Sequence, residues 1–137
     1  MLYFGYASNM DEGQMAERCP GARFLDAAIL PDHGFVVTSQ GYANVVPSPG
    51  DAVFGILWEV TPADEAALDH YEGVRPGLYR KEQVGVTTTG GKNVRALIYL
   101  ATEKTTGRPR AGYLELVVSA ARRHHLPEDY IRRLESW

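Results

Sequence analysis

The sequence predicts an α+β domain, a small curved mixed β-sheet or barrel with short helices flanking it. Two observations predict this. Strand-like runs crowd the middle of the chain while helical periodicity gathers towards both ends, and strand does not alternate regularly with helix as a doubly wound sheet requires. A third is size: 137 residues without an internal repeat or a linker-like stretch read as one domain, residues 1–137, with a core of its own.

The elements follow in order. Leu2–Gly5 is a short strand. Asn9 with Glu12 has capping-box spacing, which predicts a helix over Met10–Arg18, stopped by Cys19-Pro20-Gly21. Phe24–Leu30 and Gly34–Thr38 read as strands divided by the turn residues Pro31, Asp32 and His33, and Gln40–Asp51, with two prolines and two glycines, reads as mostly loop. The run VFGILWEV (Val53–Val60) is almost continuously apolar, as a central strand buried on both faces should be. Thr61-Pro62-Ala63-Asp64 then supplies an N-cap, a proline at the first helical position and an acid in the first turn. The helix that follows carries Ala67, Leu68 and Tyr71 on one face and stops at Gly73. Arg80–Thr88 and Val94–Ala101 form a hairpin about Gly90-Gly91. Tyr113, Leu116, Val117 and Ala120 recur at helical spacing, and Pro127 begins a last short helix to Leu134.

Composition narrows the function. A formal net charge of −3 argues against broad binding to nucleic acid or anionic membranes, since both need a clustered basic surface. No run has the length of a membrane span, and the opening MLYFGYASNM has no basic segment of the kind that begins a secretory signal. Cys19 is the sole cysteine, so the chain can form no internal disulfide and the cytoplasm is the expected compartment. His33, His70, His124 and His125 show no metal-ligand spacing, so neither a metal nor another cofactor is expected.

Two stretches carry candidate chemistry. In YFGYASNM a strand runs into a helix start, where backbone N–H groups lack partners and can receive a carboxylate or a phosphate. Tyr6, Ser8 and Asn9 add side-chain donors there. The residues equally allow a plain reading in which Ser8 or Asn9 only caps the helix. The stretch is no phosphate loop, and no GxSxG surrounds Ser8. In LDHYEGV (Leu68–Val74), Glu72 closes its helix with Asp69 one turn back. A helix C-terminus carries partial negative charge, which raises a carboxylate's proton affinity, and inward burial would raise it further towards that of a useful general base. The plain alternative is a solvated surface glutamate.

Together these pieces resemble the gamma-glutamylcyclotransferase-like family. The likeness lies in the opening strand and its loop Tyr6-Ala7-Ser8-Asn9, in the block VFGILWEVTPADEAALDHYEGVRPGLYRKEQV with its Leu-Asp-x-x-Glu-Gly run, and in the tail RPRAGYLELVVSAARRHHLPEDYIRRL. The resemblance implies an enzyme that turns a gamma-glutamyl amide into 5-oxoproline and a free amine. It implies Glu72 as catalytic acid/base, Tyr6, Ala7, Ser8 and Asn9 as the substrate-holding loop, and Tyr79 and Tyr113 as pocket walls. The implied partner is a small gamma-glutamyl substrate. A binding module for gamma-glutamyl compounds or other small carboxylates, without chemistry, is the competing class, and hydrolysis through Ser8 is a second enzymatic alternative. This chain departs from the family pattern at Ala7, where glycine is usual and a positive φ would strain alanine, and at Arg110, where serine commonly follows the proline. The residues do not say which amine leaves.

Overall fold

The computed structural model describes residues 1–137. Five strands close a mixed barrel in the order β1-β3-β2-β4-β5: β1 (Leu2–Gly5), β2 (Arg23–Val37), β3 (Ala43–Glu59), β4 (Tyr79–Thr88) and β5 (Asn93–Ala101). Closure is made by the parallel contact of β1 with β5 at Tyr3 and Leu97; the other neighbours are antiparallel. Four α-helices flank it: α1 (Glu12–Arg18), α2 (Pro62–Tyr71), α3 (Tyr113–Arg123) and α4 (Glu128–Glu135). The expected curved mixed sheet with short helices is the observed architecture.

Side-chain alternation along the strands splits the apolar residues into two cores. Phe4, Leu57, Ala96 and Ile98 point into the barrel, while their neighbours Tyr3, Ile56, Leu97 and Tyr99 point outward beneath the helices. Val117, Ala120 and Ala121 of α3 and Ile131 and Leu134 of α4 complete the outer core. In a closed barrel no strand is central, but β3 is buried on both faces as its apolar run predicts, with Val53 and Leu57 in the inner core and Ile56 and Trp58 in the outer one.

Four expectations need correction. The α1 cap is Asp11, whose carboxylate accepts from Gln14 N at 2.8 Å; Met10 belongs to a 3-10 turn, Ser8–Met10, that precedes the helix. Asn9 cannot cap, because its amide is buried and bonded elsewhere. The two strands expected on either side of Pro31–His33 are one, β2, and the expected loop Gln40–Asp51 is largely the start of β3. The prolines are accommodated at a wide bulge where Asp32, at φ +58°, faces residues 48–51, and Asp32 Oδ1 accepts from Gly50 N at 2.9 Å. Finally, Tyr71 is 52% exposed and does not share the buried face of Leu68.

The α2 start behaves as its residues predict. Thr61 Oγ1 accepts from Asp64 N at 3.1 Å, and Asp64 Oδ2 accepts from Thr61 N at 2.9 Å, a reciprocal capping box. Asp64 is buried and its other oxygen accepts from Gly21 N at 3.1 Å, tying α2 to the turn after α1. At the far end Gly73 takes φ +64°, turning the chain so that Glu72 becomes the C-cap residue.

Candidate active site

Where β1 ends, the C-terminus of α2, the start of α3 and the 3-10 turn surround a cavity of about 530 Å³. All seven residues singled out from the sequence, Tyr6, Ala7, Ser8, Asn9, Glu72, Tyr79 and Tyr113, line it. They come from four separate parts of the chain.

The opening turn is held from behind. Trp58 Nε1 donates to Asn9 O at 3.0 Å, and the His124 ring bonds Met10 O at 2.8 Å. Asn9 Nδ2 donates to Tyr3 Oη at 3.0 Å, while Asn9 Oδ1 accepts from Gln14 Nε2 at 2.9 Å and from an Arg18 guanidinium nitrogen at 3.3 Å. Gln14 also donates to Ser8 Oγ at 2.8 Å, so the serine proton is free to point elsewhere. No histidine reaches Ser8: His124 is spent on Met10 O and His33 bonds Pro31 O. The backbone N–H of Ala7 has no protein acceptor. Ala7 takes φ −131°, outside the left-handed region, so alanine is tolerated where the family uses glycine. The tight approach is at Gly5, where a Cβ would sit 3.2 Å from Asn9 O.

Glu72 faces this turn. Burial, partly offset by the Arg18 cation, pushes its carboxyl up from an ordinary 4.5 to about 7, and no hydrogen bond contributes. The group is thus desolvated, unpartnered and poised near neutrality, the condition under which a carboxylate both takes and returns a proton.

The tyrosines act as walls. Tyr6 Oη donates to Tyr99 O at 2.6 Å and Tyr79 Oη donates to Ala43 O at 2.6 Å. Tyr113 Oη accepts from Ala43 N at 3.1 Å, leaving its own proton available. Burial raises the pKa of all three, so they remain neutral. Asp69, the other acid of the motif, is a strut: it accepts from Tyr99 Oη at 2.6 Å and pairs with Lys81 Nζ at 3.1 Å, fixing the last turn of α2 to β4 and β5.

Sequence reasoning missed Arg18, Tyr42 and Gln14. Arg18 lies over the Tyr71 ring at 4.5 Å, and Arg110 over the Tyr42 ring at 4.6 Å with its Nε donating to Gln40 O at 2.9 Å; all of them line the cavity. A signal existed for the first pair, since Gln14 and Arg18 are four apart on α1 and share the face next to the turn. Elsewhere, no group of three or more metal-ligating side chains forms, and no helix is long and apolar enough to cross a membrane.

Comparison with known proteins gives a consistent result. Residues 52–134 match the AIG2-like family. Human gamma-glutamylcyclotransferase is 32% identical over 145 residues, which covers 98% of this chain and 77% of the human one. The bovine gamma-glutamylcyclotransferase gives the same identity and coverage. Among solved structures, a gamma-glutamyl cyclotransferase superposes with a TM-score of 0.91 at 31% identity, covering 99% of this chain and 86% of that one. A crystal structure of a human protein matches with a TM-score of 0.89 at 32% identity, over 98% and 86% of the two chains.

Proposed function

The chain belongs to the AIG2-like family of gamma-glutamylcyclotransferase-like enzymes, and on that premise we propose that it cyclises a gamma-glutamyl amide to 5-oxoproline, releasing the amine, with Glu72 as general acid/base. The observation that carries the proposal is Glu72 itself: an unpartnered, desolvated carboxyl titrating near 7 in a cavity shared with the opening turn.

The substrate brings its own nucleophile. Its α-amine attacks its own γ-carbonyl and closes a five-membered lactam, so the protein's first task is to fold the glutamyl chain over. Holding two reacting groups together can lower a barrier by up to roughly 7–11 kcal/mol in favourable cases. Glu72 takes the proton of the α-ammonium, the freed lone pair forms the new N–C bond, and the carbonyl oxygen becomes an oxyanion. In this reading the backbone N–H of Ala7 and the hydroxyl proton of Ser8 stabilise that oxygen, and their lack of a protein acceptor supports the assignment. As the tetrahedral centre collapses, Glu72 returns the proton to the departing nitrogen and the old C–N bond breaks; the ring nitrogen's second proton passes through the same carboxylate to the released amine, which leaves as an ammonium and the lactam as a neutral amide. Tyr79 and Tyr113 enclose the chain, and Tyr113 keeps a proton for a ligand acceptor.

The buried state of Cys19 fits a reducing compartment, and a cytoplasmic location is part of the proposal. The test is direct: the protein is incubated with a panel of gamma-glutamyl amides, and 5-oxoproline, glutamate and free amine are quantified. Stoichiometric 5-oxoproline and amine support the reading. Release of glutamate would point to hydrolysis, and tight binding without either product to a binding module.

A further inference from the structure

The proposed reaction assigns no role to Arg18. It forms no salt bridge with any carboxylate; the same holds for Arg23, Arg75, Arg95, Arg108 and Arg110, but of these only Arg110 shares the cavity with it. Its guanidinium plane is fixed by the Tyr71 ring, 4.5 Å away, and one of its nitrogens donates to Asn9 Oδ1 at 3.3 Å. That single long hydrogen bond leaves most of the fork's donors unused. Its position at the end of α1 also suits the helix dipole, but a dipole role requires neither the stacking nor the cavity.

The charge reaches the reacting centre. Arg18 acts electrostatically on Glu72, on Tyr3 and on Tyr113. Arg110, the other cavity arginine, is exposed, stacked over Tyr42 with its Nε donating to Gln40 O. The cavity's charged lining is thus Glu72, Arg18 and Arg110, an excess of positive charge. A pre-oriented, unpaired guanidinium beside the residue that handles protons is built to receive a carboxylate.

We propose that Arg18 is the anchor for the α-carboxylate of the glutamyl half of the substrate, and of 5-oxoproline after cyclisation. This rests on the cyclotransferase reading and adds a residue to it. The anchor has two effects. It sets which end of the glutamyl chain lies under the turn, so that the α-amine beside that carboxylate is presented to Glu72. It also couples binding to chemistry: a carboxylate seated on the guanidinium cancels the cation's pull on Glu72, so the base strengthens as the substrate arrives.

The test compares 5-oxoproline with 2-pyrrolidinone, the same lactam without the carboxylate, by calorimetry or ligand-detected NMR on the wild-type chain, Arg18→Gln and Arg18→Lys. The wild type should prefer 5-oxoproline. Arg18→Gln should lose about 10–100-fold in 5-oxoproline affinity and hold 2-pyrrolidinone within about twofold, which also reports an intact fold. Arg18→Lys should recover part of the preference, since it keeps the charge but not the planar fork. An Arg18→Gln variant that still prefers the acid, or a wild type with no preference, overturns the assignment. Because binding is read without turnover, these outcomes are separate from failure of the proposed reaction, which would appear as wild-type protein yielding no 5-oxoproline from any gamma-glutamyl amide.

Discussion

Replacing Glu72 by glutamine should make the protein slower and, above neutral pH, sturdier. Glutamine keeps the shape and can hydrogen-bond, but it cannot carry the proton between the two nitrogens, so turnover should fall by about 10²–10⁴-fold. The stability effect follows from the raised carboxyl. In the unfolded chain Glu72 releases its proton near 4.5, and in the folded protein near 7. The folded state therefore holds the proton more tightly, and the stability linked to it is fully present below about 4.5, falls between 4.5 and about 7, and is absent above. At 1.36 kcal/mol per pH unit that loss is about 3 kcal/mol. Glutamine does not titrate and escapes it. Relative to wild type, Glu72→Gln should be near-neutral in stability at pH 4 and gain about 2–3 kcal/mol at pH 8, a rise in midpoint of roughly 6–12 °C for a chain of this size. Urea titrations at pH values from 4 to 9, run beside the 5-oxoproline assay, measure both effects on the same samples. A stability difference flat across pH would refute the claim that the carboxyl is desolvated, and near-wild-type turnover would remove Glu72 from proton transfer. The two arms fail independently.

Ser8→Ala should lower turnover by about 10²–10³-fold, the cost of one oxyanion donor, and still release 5-oxoproline because the Ala7 N–H stays in place; a variant with no turnover, together with glutamate as the wild-type product, would assign Ser8 a nucleophile's role. Asp64→Ala strands Thr61 N and Gly21 N together, and thermal unfolding should show a loss of about 2–3 kcal/mol; a loss under half that would mean that water replaces the carboxylate. Arg110→Ala frees the Tyr42 ring, so KM should change by about 2–5-fold in a manner that depends on the leaving amine, while 5-oxoproline affinity stays constant. Steady-state kinetics across amides of different amines check it, and a uniform change for every amine would place Arg110 with the glutamyl half instead.

Much of the fold was legible because it rests on local rules. The strand Leu2–Gly5, the capping box from Thr61 to Asp64, the glycine that ends α2 and the hairpin about Gly90-Gly91 each depend on residues a few positions apart, and each is where its residues predict. The same holds for Glu72 as a helix-ending carboxyl. Where the local signal failed, a distant partner had won. Asn9 has good capping chemistry, but its amide is claimed by Tyr3, Gln14 and Arg18, so Asp11 caps instead. The prolines and glycines of residues 40–51 read as loop, yet pairing with β2 carries the strand through them, with Asp32 satisfying Gly50 N across the bulge.

By itself, then, the sequence determined the mixed strand-and-helix character of the chain, its caps and stops, and the two short stretches that bear chemistry. Only the tertiary structure decided that these stretches meet, that Glu72 is desolvated without a hydrogen-bond partner, and that Arg18 and Arg110 line the same cavity without a carboxylate paired to either. The physical reason is range. Capping and turn preferences act over three or four residues, whereas the bonds that shape the cavity, Tyr6 to Tyr99 O at 2.6 Å, Tyr79 to Ala43 O at 2.6 Å and Trp58 to Asn9 O at 3.0 Å, join residues 36 to 93 positions apart. A carboxyl's proton affinity is set by what closure of the barrel places around it, which no neighbour in the chain can specify.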